Sequence, residues 1–319
     1  MKVLGISFGR KMGNTDILVK EALFGAKAKG AEVKFVNTVN MKIERCIGCG
    51  ACSTRFRQGE DSQCIITNDD FKALEEKVLD ADAVIVGAPV YVLEPVGQFK
   101  DFVDRFGPRH DRAAMQGEQD RRIAAGQTEN LVDPRYFKDK YVGYISVGGA
   151  HTHNWVSLGL PTLHTFGMSS AMKVVGEIDA YDMGRTGNPV LNEELINKVN
   201  TLGVKVTEAI GKPYEEVEWY GEEGTCPVCH QNLISLNGTT TVECPVCGIE
   251  GKIAIDGEKV TVKFSKEQQE RARGTLNGLQ EHFLEIQGFG AIAGPKLEEA
   301  KDTLSVLLKR YKDFYYLTK

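Results

Sequence analysis

The stretch Val3-Leu4-Gly5-Ile6-Ser7-Phe8-Gly9-Arg10-Lys11-Met12-Gly13-Asn14-Thr15 decides how the chain is read. Val3, Leu4 and Ile6 make a short apolar run of the kind a buried strand shows. From Ser7 the sequence turns polar, with Gly9 and Gly13 as breaks and Arg10 and Lys11 as cations. Ile17, Leu18, Ala22 and Leu23 then recur at helical spacing. Strand, glycine-bearing loop and helix is the layout that holds a phosphate against the free N–H groups of a helix start. Asn14 or Thr15 is placed to cap that helix. Ser7 and Thr15 add hydroxyls, and Arg10 and Lys11 add charge. The loop is neither G-x-x-x-x-G-K-[ST] nor G-x-G-x-x-G, which disfavours a P-loop ATPase and a dinucleotide site. An ordinary strand-to-helix turn is the plainer alternative.

Outward from this loop, strands and helices alternate. Residues 2–7 read as the first strand and 14–29 as its helix. Residues 32–36 make a second strand, and 69–79 a helix with Phe71, Leu74, Val78 and Leu79 on one face. The run A-V-I-V-G at 83–87 is apolar throughout, as a central parallel strand is. Residues 96–106 read as a helix, 141–147 and 173–178 as the last two strands, and 191–210 as a long helix. The pattern predicts an α/β domain, a doubly wound sheet of five parallel strands with helices on both faces. Residues 108–136 interrupt the rhythm with a polar insertion near the ligand end, read as a lid, an oligomer contact or a surface excursion.

The expected division is 1–213 for the α/β domain, 214–263 for a small cysteine-bearing module and 264–319 for a C-terminal helical hairpin. In the last, Ser265 is the N-cap of a helix over 265–287 and Gln268 occupies the capping-box position. A turn is expected at 288–295 and a second helix over 296–316.

The chain has 319 residues, 26% of them charged, and a net charge of -5. Nothing in that balance favours a nucleic-acid partner. No apolar run reaches the ~20 residues a membrane span needs, and no signal peptide precedes the first strand. Eight cysteines fall in two clusters, Cys46/Cys49/Cys52/Cys64 and Cys226/Cys229/Cys244/Cys247. Two-residue gaps suggest metal thiolates in a reducing cytoplasm, unlike the spread of a disulfide scaffold.

Three loops leave C-terminal strand ends and converge on one crevice. The second is Gly87-Ala88-Pro89-Val90-Tyr91 and the third Gly148-Gly149-Ala150-His151-Thr152-His153. A phosphate cradle (Ser7, Arg10, Lys11, Asn14, Thr15), an aromatic wall (Pro89, Val90, Tyr91) and a glycine edge (Gly148, Gly149, with His151) describe a flavin mononucleotide site. Tyr91, His151 and His153 are the candidate catalytic side chains, and no obvious general acid or base stands out. His164 reads as packed, Trp155 and Tyr181 as packing residues, and Arg105 and Arg109 as solvated arginines or, alternatively, phosphate partners.

The run Ser7…Arg10-Lys11…Gly13-Asn14-Thr15, then Cys46-Ile-Gly-Cys49-Gly-Ala-Cys52, then Gly87-Ala-Pro-Val-Tyr91 resembles the NAD(P)H-dependent FMN reductases, and within them the iron–sulfur flavoprotein branch. The resemblance covers about residues 1–210. It implies a flavodoxin-like fold, bound FMN, and a homodimer or homotetramer with flavin near the interface. Family loops commonly read S-G-S-P-R-K-x-G-N-T. Here the loop is one residue shorter and lacks the second serine and the proline, so Arg10, Asn14 and Thr15 lead Ser7 as phosphate contacts.

Cys46-x2-Cys49-x2-Cys52 with Cys64 resembles a [4Fe–4S] ligand set, and Gly48 and Gly50 let the backbone bend around it. Free or redox-active thiols are the alternative. Cys226-Pro-Val-Cys229 and Cys244-Pro-Val-Cys247 fit a four-thiolate zinc ribbon, with rubredoxin-like iron as the rival. The expectation is an FMN oxidoreductase that takes electrons from NAD(P)H or a reduced carrier and passes them to a small acceptor, such as a quinone, nitroaromatic, flavin or other aromatic. The alternative is an iron–sulfur flavoprotein relaying electrons between partners such as a ferredoxin and a terminal reductase.

Overall fold

The computed structural model describes residues 1–58, 60 and 62–312. It divides into two compact units, Met1–Leu279 and Gln280–Lys319. In the first, β1 (Lys2–Ser7), β2 (Glu32–Asn37), β3 (Ala83–Tyr91), β5 (Tyr141–Val147) and β6 (Lys173–Ala180) form a parallel sheet in the order β2–β1–β3–β5–β6. A two-residue strand β4 (Glu94–Pro95) pairs antiparallel with the end of β3. The connecting helices are α1 (Asn14–Ala28), α2 (Ala51–Arg57), α3 (Phe71–Asp80), α4 (Gly97–Phe106), α5 (Arg112–Ala124), the short α6 (Gly159–Leu163), α7 (Thr165–Met168) and α8 (Met183–Thr186), and α9 (Glu193–Ala209). This is the flavodoxin-like strand order, with ligand-binding loops at the C-terminal strand ends.

Strand alternation sends neighbouring residues to opposite faces. Val3, Ile85 and Ile145 pack under α1 and α9, with Leu18, Val19, Val199 and Leu202. Leu4, Val84 and Val86 pack against α3 and α4, with Phe71, Leu74, Phe99 and Phe102. Each such side chain contributes about 1.5–3 kcal/mol by leaving water. The α1–α9 crossing is backbone-close: a Cβ at Gly203 would stand 1.7 Å from Ala22 O.

The cysteine module is a four-stranded antiparallel sheet, β10–β9–β8–β7, of β7 (Ser235–Leu236), β8 (Thr241–Glu243), β9 (Glu250–Asp256) and β10 (Lys259–Phe264). Its lead-in pairs with the sheet edge, since Tyr220 N–H donates to Val175 O and Glu177 N–H to Tyr220 O.

Several expectations are corrected. Residues 108–136 connect the end of α4 to the start of β5, so they lie at the N-terminal strand ends, away from the ligand loops. The insertion is also less solvated than its composition suggests: Ala113, Met115 and Val132 are buried, and Glu118 pairs with Arg122. The helix expected over 265–287 breaks into α10 (Lys266–Glu270) and α11 (Leu276–Glu299). Ser265 does cap α10, accepting from Gln268 N, but the Gln268 side chain reaches Glu250 N instead of closing the box. No turn forms at 288–295. Gly288, Gly290 and Gly294 cost about 1 kcal/mol each in a helix without forbidding it, and Ala291, Ile292 and Ala293 favour it. The break falls after Glu299, just past Pro295, and α12 (Lys301–Lys312) follows. Residues 313–316 of the expected second helix lie outside the described residues.

Candidate functional site

The Gly9–Gly13 loop leaves β1 and enters α1 at the C-terminal edge of the sheet. Its N-cap is Gly13, in extended conformation, and no side chain caps the helix. Asn14 and Thr15 instead occupy the first helical turn, which corrects their expected capping role. The turn Gly13 N to Arg10 O sets up this entry, and it leaves the first N–H groups of α1 without a side-chain acceptor. Asp16 would oppose an anion there, but it is turned to other partners: Lys20 Nζ at 2.9 Å, Asn37 Nδ2 at 2.6 Å and Met12 N at 2.9 Å. Burial alone would raise Asp16, yet these hydrogen bonds hold it below the usual carboxylate range. Ser7 is fully buried and Thr15 nearly so, while Arg10 and Lys11 are exposed.

The second ligand segment is not a loop. β3 continues to Tyr91, and Val92 and Leu93 turn the chain with positive φ (50° and 75°) into β4. Val90 pairs with Pro95, and Val96 N–H donates to Pro89 O. The result is a rigid hairpin at the ligand end. Pro89 is buried in it, Tyr91 is exposed, and Val92, at 95% exposure, forms the tip. Left-handed backbone in a β-branched residue costs free energy, and such strain concentrates at functional sites.

The third loop is zipped to the end of β6. Gly148 N–H donates to Ala180 O, Asp182 N–H to Ala150 O and Met183 N–H to Gly148 O. Gly148 is filled in by Val156, whereas Gly149 faces open space. His151 Nδ1 lies 3.5 Å from Asp182, and His153 Nε2 lies 3.3 Å from Asp179. Trp155 and Tyr181, expected in the core, are exposed beside this loop.

The first cysteine set also starts from this edge, on the chain between β2 and α3. Cys46 and Cys49 are exposed, Cys52 and Cys64 half-buried. Gly48 and Gly50 take positive φ, as the bend requires, and Gly48 N–H donates to Cys46 Sγ at 3.5 Å. The four sulfurs do not gather as tightly as ligands of a single ion. Cubane ligands stand further apart than those of one ion, so this spread excludes single-ion packing alone.

Arg105, expected in solvent, is buried and ties this loop shut. Its guanidinium donates to Glu44 O at 3.0 Å, Ile66 O at 2.9 Å and the Asp69 carboxylate, and lies over the Phe71 ring. Glu44 N–H also donates to Asp69. Burial would raise Asp69, but Arg105 and Glu44 N hold it below its ordinary range. Arg109, likewise buried, meets Ser62 O and Glu75. Both arginines escaped the sequence reading because their partners lie 34–61 residues away.

The second cysteine set is the opposite case. All four residues are buried and their sulfurs lie within 4.8 Å of one another. The two knuckles repeat one geometry. His230 N–H donates to Cys226 O and Gly248 N–H to Cys244 O, while Cys226 N–H reaches Gln231 O and Cys244 N–H reaches Ile249 O. Each closes through a left-handed residue, His230 (φ 56°) and Gly248 (φ 70°). His230 is braced there by the Trp219 ring, stacked at 3.8 Å. The module's core holds little beyond the cysteines, Val246, Ile249 and Ala272. Hydrogen bonds from Cys226, Cys229 and Cys247 push the Cys244 thiol far down, and the same crowding pushes Cys247 up. A cation would stabilise all four as thiolates.

Gln231 joins this module to the sheet. It donates to Glu177 Oε1 at 2.7 Å, and His164 Nε2 lies 2.8 Å from Glu177 Oε2, all three side chains buried. Two sizeable cavities lie away from the ligand loops. One of about 650 Å³ sits at the N-terminal strand ends, around Lys138, Tyr141 and Tyr214. The other, about 370 Å³, lies between residues 62–67, α3 and the insertion. Among the described residues, no helix is long and apolar enough to cross a membrane.

Residues 1–180 match the family described as NADPH-dependent FMN reductase. The chain is 28% identical to a flavone synthase of Aspergillus candidus, over 90% of this chain and 89% of that protein. An iron–sulfur flavoprotein of Methanocaldococcus jannaschii is 28% identical over 66% of this chain and 97% of its own length. A solved structure of a flavone reductase matches with a TM-score of 0.82 and 30% identity, covering 100% of this chain and 99% of that one.

Proposed function

We infer the function from one premise: the chain belongs to the NADPH-dependent FMN reductase family. It is an oxidoreductase of flavodoxin-like fold, related to reductases of small aromatic substrates and to iron–sulfur flavoproteins. The proposal is that the loops at the ends of β1, β3 and β5 would hold FMN, for electron transfer from NAD(P)H to a small aromatic acceptor. The observation that carries it is the uncapped start of α1 behind Arg10 and Lys11, which fits a phosphate. When bound, the flavin supplies the hydride chemistry. Asn14 and Thr15 then offer N–H groups and a hydroxyl to its phosphate, with Ser7 behind them, while Arg10 and Lys11 balance its charge. Pro89, Val90 and Tyr91 wall one side, and the backbone of Gly148 and Gly149, with His151, lines the edge.

The acceptor class is a quinone, nitroaromatic, flavin or other aromatic. The full-length likeness to a flavone reductase supports a flat aromatic whose ring is conjugated to a carbonyl. Zinc in the buried ribbon is supported by its closed set of four thiolates, which leaves no open position for chemistry. Eight free thiols suit a reducing cytoplasm. Exposed Leu284, Phe289, Ile292 and Leu307 on the tail helices support a homodimer or homotetramer. Residues 1–213, 214–263 and 264–319 are proposed as the three domains.

A second reading is favoured by the first cysteine set. There, a [4Fe–4S] cluster on Cys46, Cys49, Cys52 and Cys64 relays electrons between the flavin and a ferredoxin-type carrier. Its support is the Gly48 N–H to sulfur bond, the open glycine bends and the likeness to iron–sulfur flavoproteins. Steady-state NAD(P)H oxidation by FMN-loaded protein, with and without aromatic acceptors, separates the two. Acceptor-dependent oxidation is expected. Oxidation absent with both nicotinamides and every acceptor would refute the first reading.

A further inference from the structure

The seam between β5 and β6 ends in a group of polar side chains that flavin binding does not use. Asp179 of β6 lies beside Ser146 of β5 in the strand register. Its Oδ2 is 3.3 Å from His153 Nε2. Asp179 Oδ1 and Ser146 Oγ are both buried and complete no hydrogen bond, although the hydroxyl is close enough to favour the charged carboxylate. A buried carboxylate oxygen left this way is costly, and such groups call for a functional reason. His153, by contrast, is 61% exposed, on the turn His153–Trp155, with Tyr181 edge-on at 6.0 Å. Gly149, four residues before it, opens to solvent. The pair thus runs from a buried carboxyl to the open crevice.

We propose that His153 is the proton donor to the acceptor and that Asp179 is the residue that positions it. The proposal rests on the flavin reading above. Reduction of a conjugated double bond takes one electron pair and two protons. The pair and one proton arrive together as hydride from the reduced flavin. The second proton comes from His153: with Nε2–H held on Asp179, Nδ1–H is the bond left to donate to the acceptor. That N–H bond breaks as the new bond to the acceptor forms, imidazolium becomes neutral imidazole, and solvent returns the proton. The reverse sequence removes one.

Burial pushes Asp179 up to about 6, against the Ser146 hydroxyl and His153, which lower it. Glu177 on β6 and Glu222 from the module's lead-in raise it further, and Glu177 is itself held by His164 and Gln231. Asp179 therefore gains its charge, and its hold on His153, as pH rises through about 6.

The test uses FMN-loaded wild type, His153→Gln and Asp179→Asn, the first change on an exposed turn and the second isosteric. FMN affinity and the rate of flavin reduction by NAD(P)H should stay within about twofold, since neither residue is asked to serve them. Reoxidation by the acceptor should fall by roughly 100-fold in His153→Gln, the lower end for loss of a general acid. Asp179→Asn should lose the acid limb near pH 6 from that step. In protein without flavin, the NMR resonances of the His153 ring should move in Asp179→Asn, because the two side chains lie 3.3 Å apart. Unchanged reoxidation in both variants, or His153 ring resonances blind to Asp179→Asn, would overturn the relay and leave the flavin reading standing. Wild type that binds no FMN would overturn both.

Discussion

The two cysteine sets share the C-x-x-C spacing and end in opposite settings. Cys226, Cys229, Cys244 and Cys247 are buried, close-packed and closed by two matching knuckles. Cys46, Cys49, Cys52 and Cys64 lie on the connection between β2 and α3, Cys52 within α2, and Arg105 and Asp69 tie that connection together. Spacing alone therefore does not say what a cysteine pair is for. In the module, the thiols are most of the core, so metal and fold are one question. In the first set, none of the thiols belongs to the α/β core, and Cys46 and Cys49 are exposed.

The strongest way to break this contrast is Cys226→Ser. Apparent binding energies of structural zinc in small fingers are about 10–16 kcal/mol, so loss of one thiolate should release the metal and unfold the module. Metal analysis should show one zinc fewer per chain, and limited proteolysis should cut within 220–262 while FMN stays bound. Unaltered metal content would end the structural-zinc reading.

Next is Arg105→Ala. Removing one partner of a buried ion pair costs about 3–5 kcal/mol. Asp69 is left buried with only the Glu44 and Phe71 N–H groups as donors, and the Glu44 and Ile66 carbonyls lose their tie. Urea denaturation should show that loss, and protease should reach residues 44–66 first. The ribbon metal should be retained. Equal exposure of loop and module would mean that the two regions are not independent.

The smallest effect sharpens the comparison from the flavin side. Arg10→Ala combined with Asn14→Ala should weaken FMN binding by about 1–3 kcal/mol, the range for charge-assisted hydrogen bonds. Both cysteine sets should be unaffected. Fluorescence titration measures this directly, and full FMN affinity in the double variant would move the phosphate elsewhere.

The parallel sheet was legible because its strands are continuous apolar runs, A-V-I-V-G above all, separated by helical spacing. The ribbon was legible because paired C-P-V-C knuckles leave few other foldings. The hairpin at Tyr91–Pro95 was not, since Val92 and Leu93 turn the chain with no glycine to signal it. Arg105 and Asp179 were missed for a related reason. Their importance lies in partners distant in sequence, Glu44, Ile66, Asp69 and Ser146, and burial of a charged side chain leaves no periodic mark. His153 was legible as a candidate, but only the carboxylate beside it says what an imidazole can do there.

The most direct measurement is the visible spectrum of anaerobically purified protein during addition of NAD(P)H and then of an aromatic acceptor such as a flavone or quinone, with iron and zinc counted in the same sample. The account predicts a flavin spectrum that NAD(P)H bleaches, that the acceptor restores, and that accompanies one zinc per chain. A protein without flavin would contradict it. So would a flavin indifferent to NAD(P)H and reduced only through a thiolate–iron chromophore with about four irons per chain, which would make the chain an electron carrier.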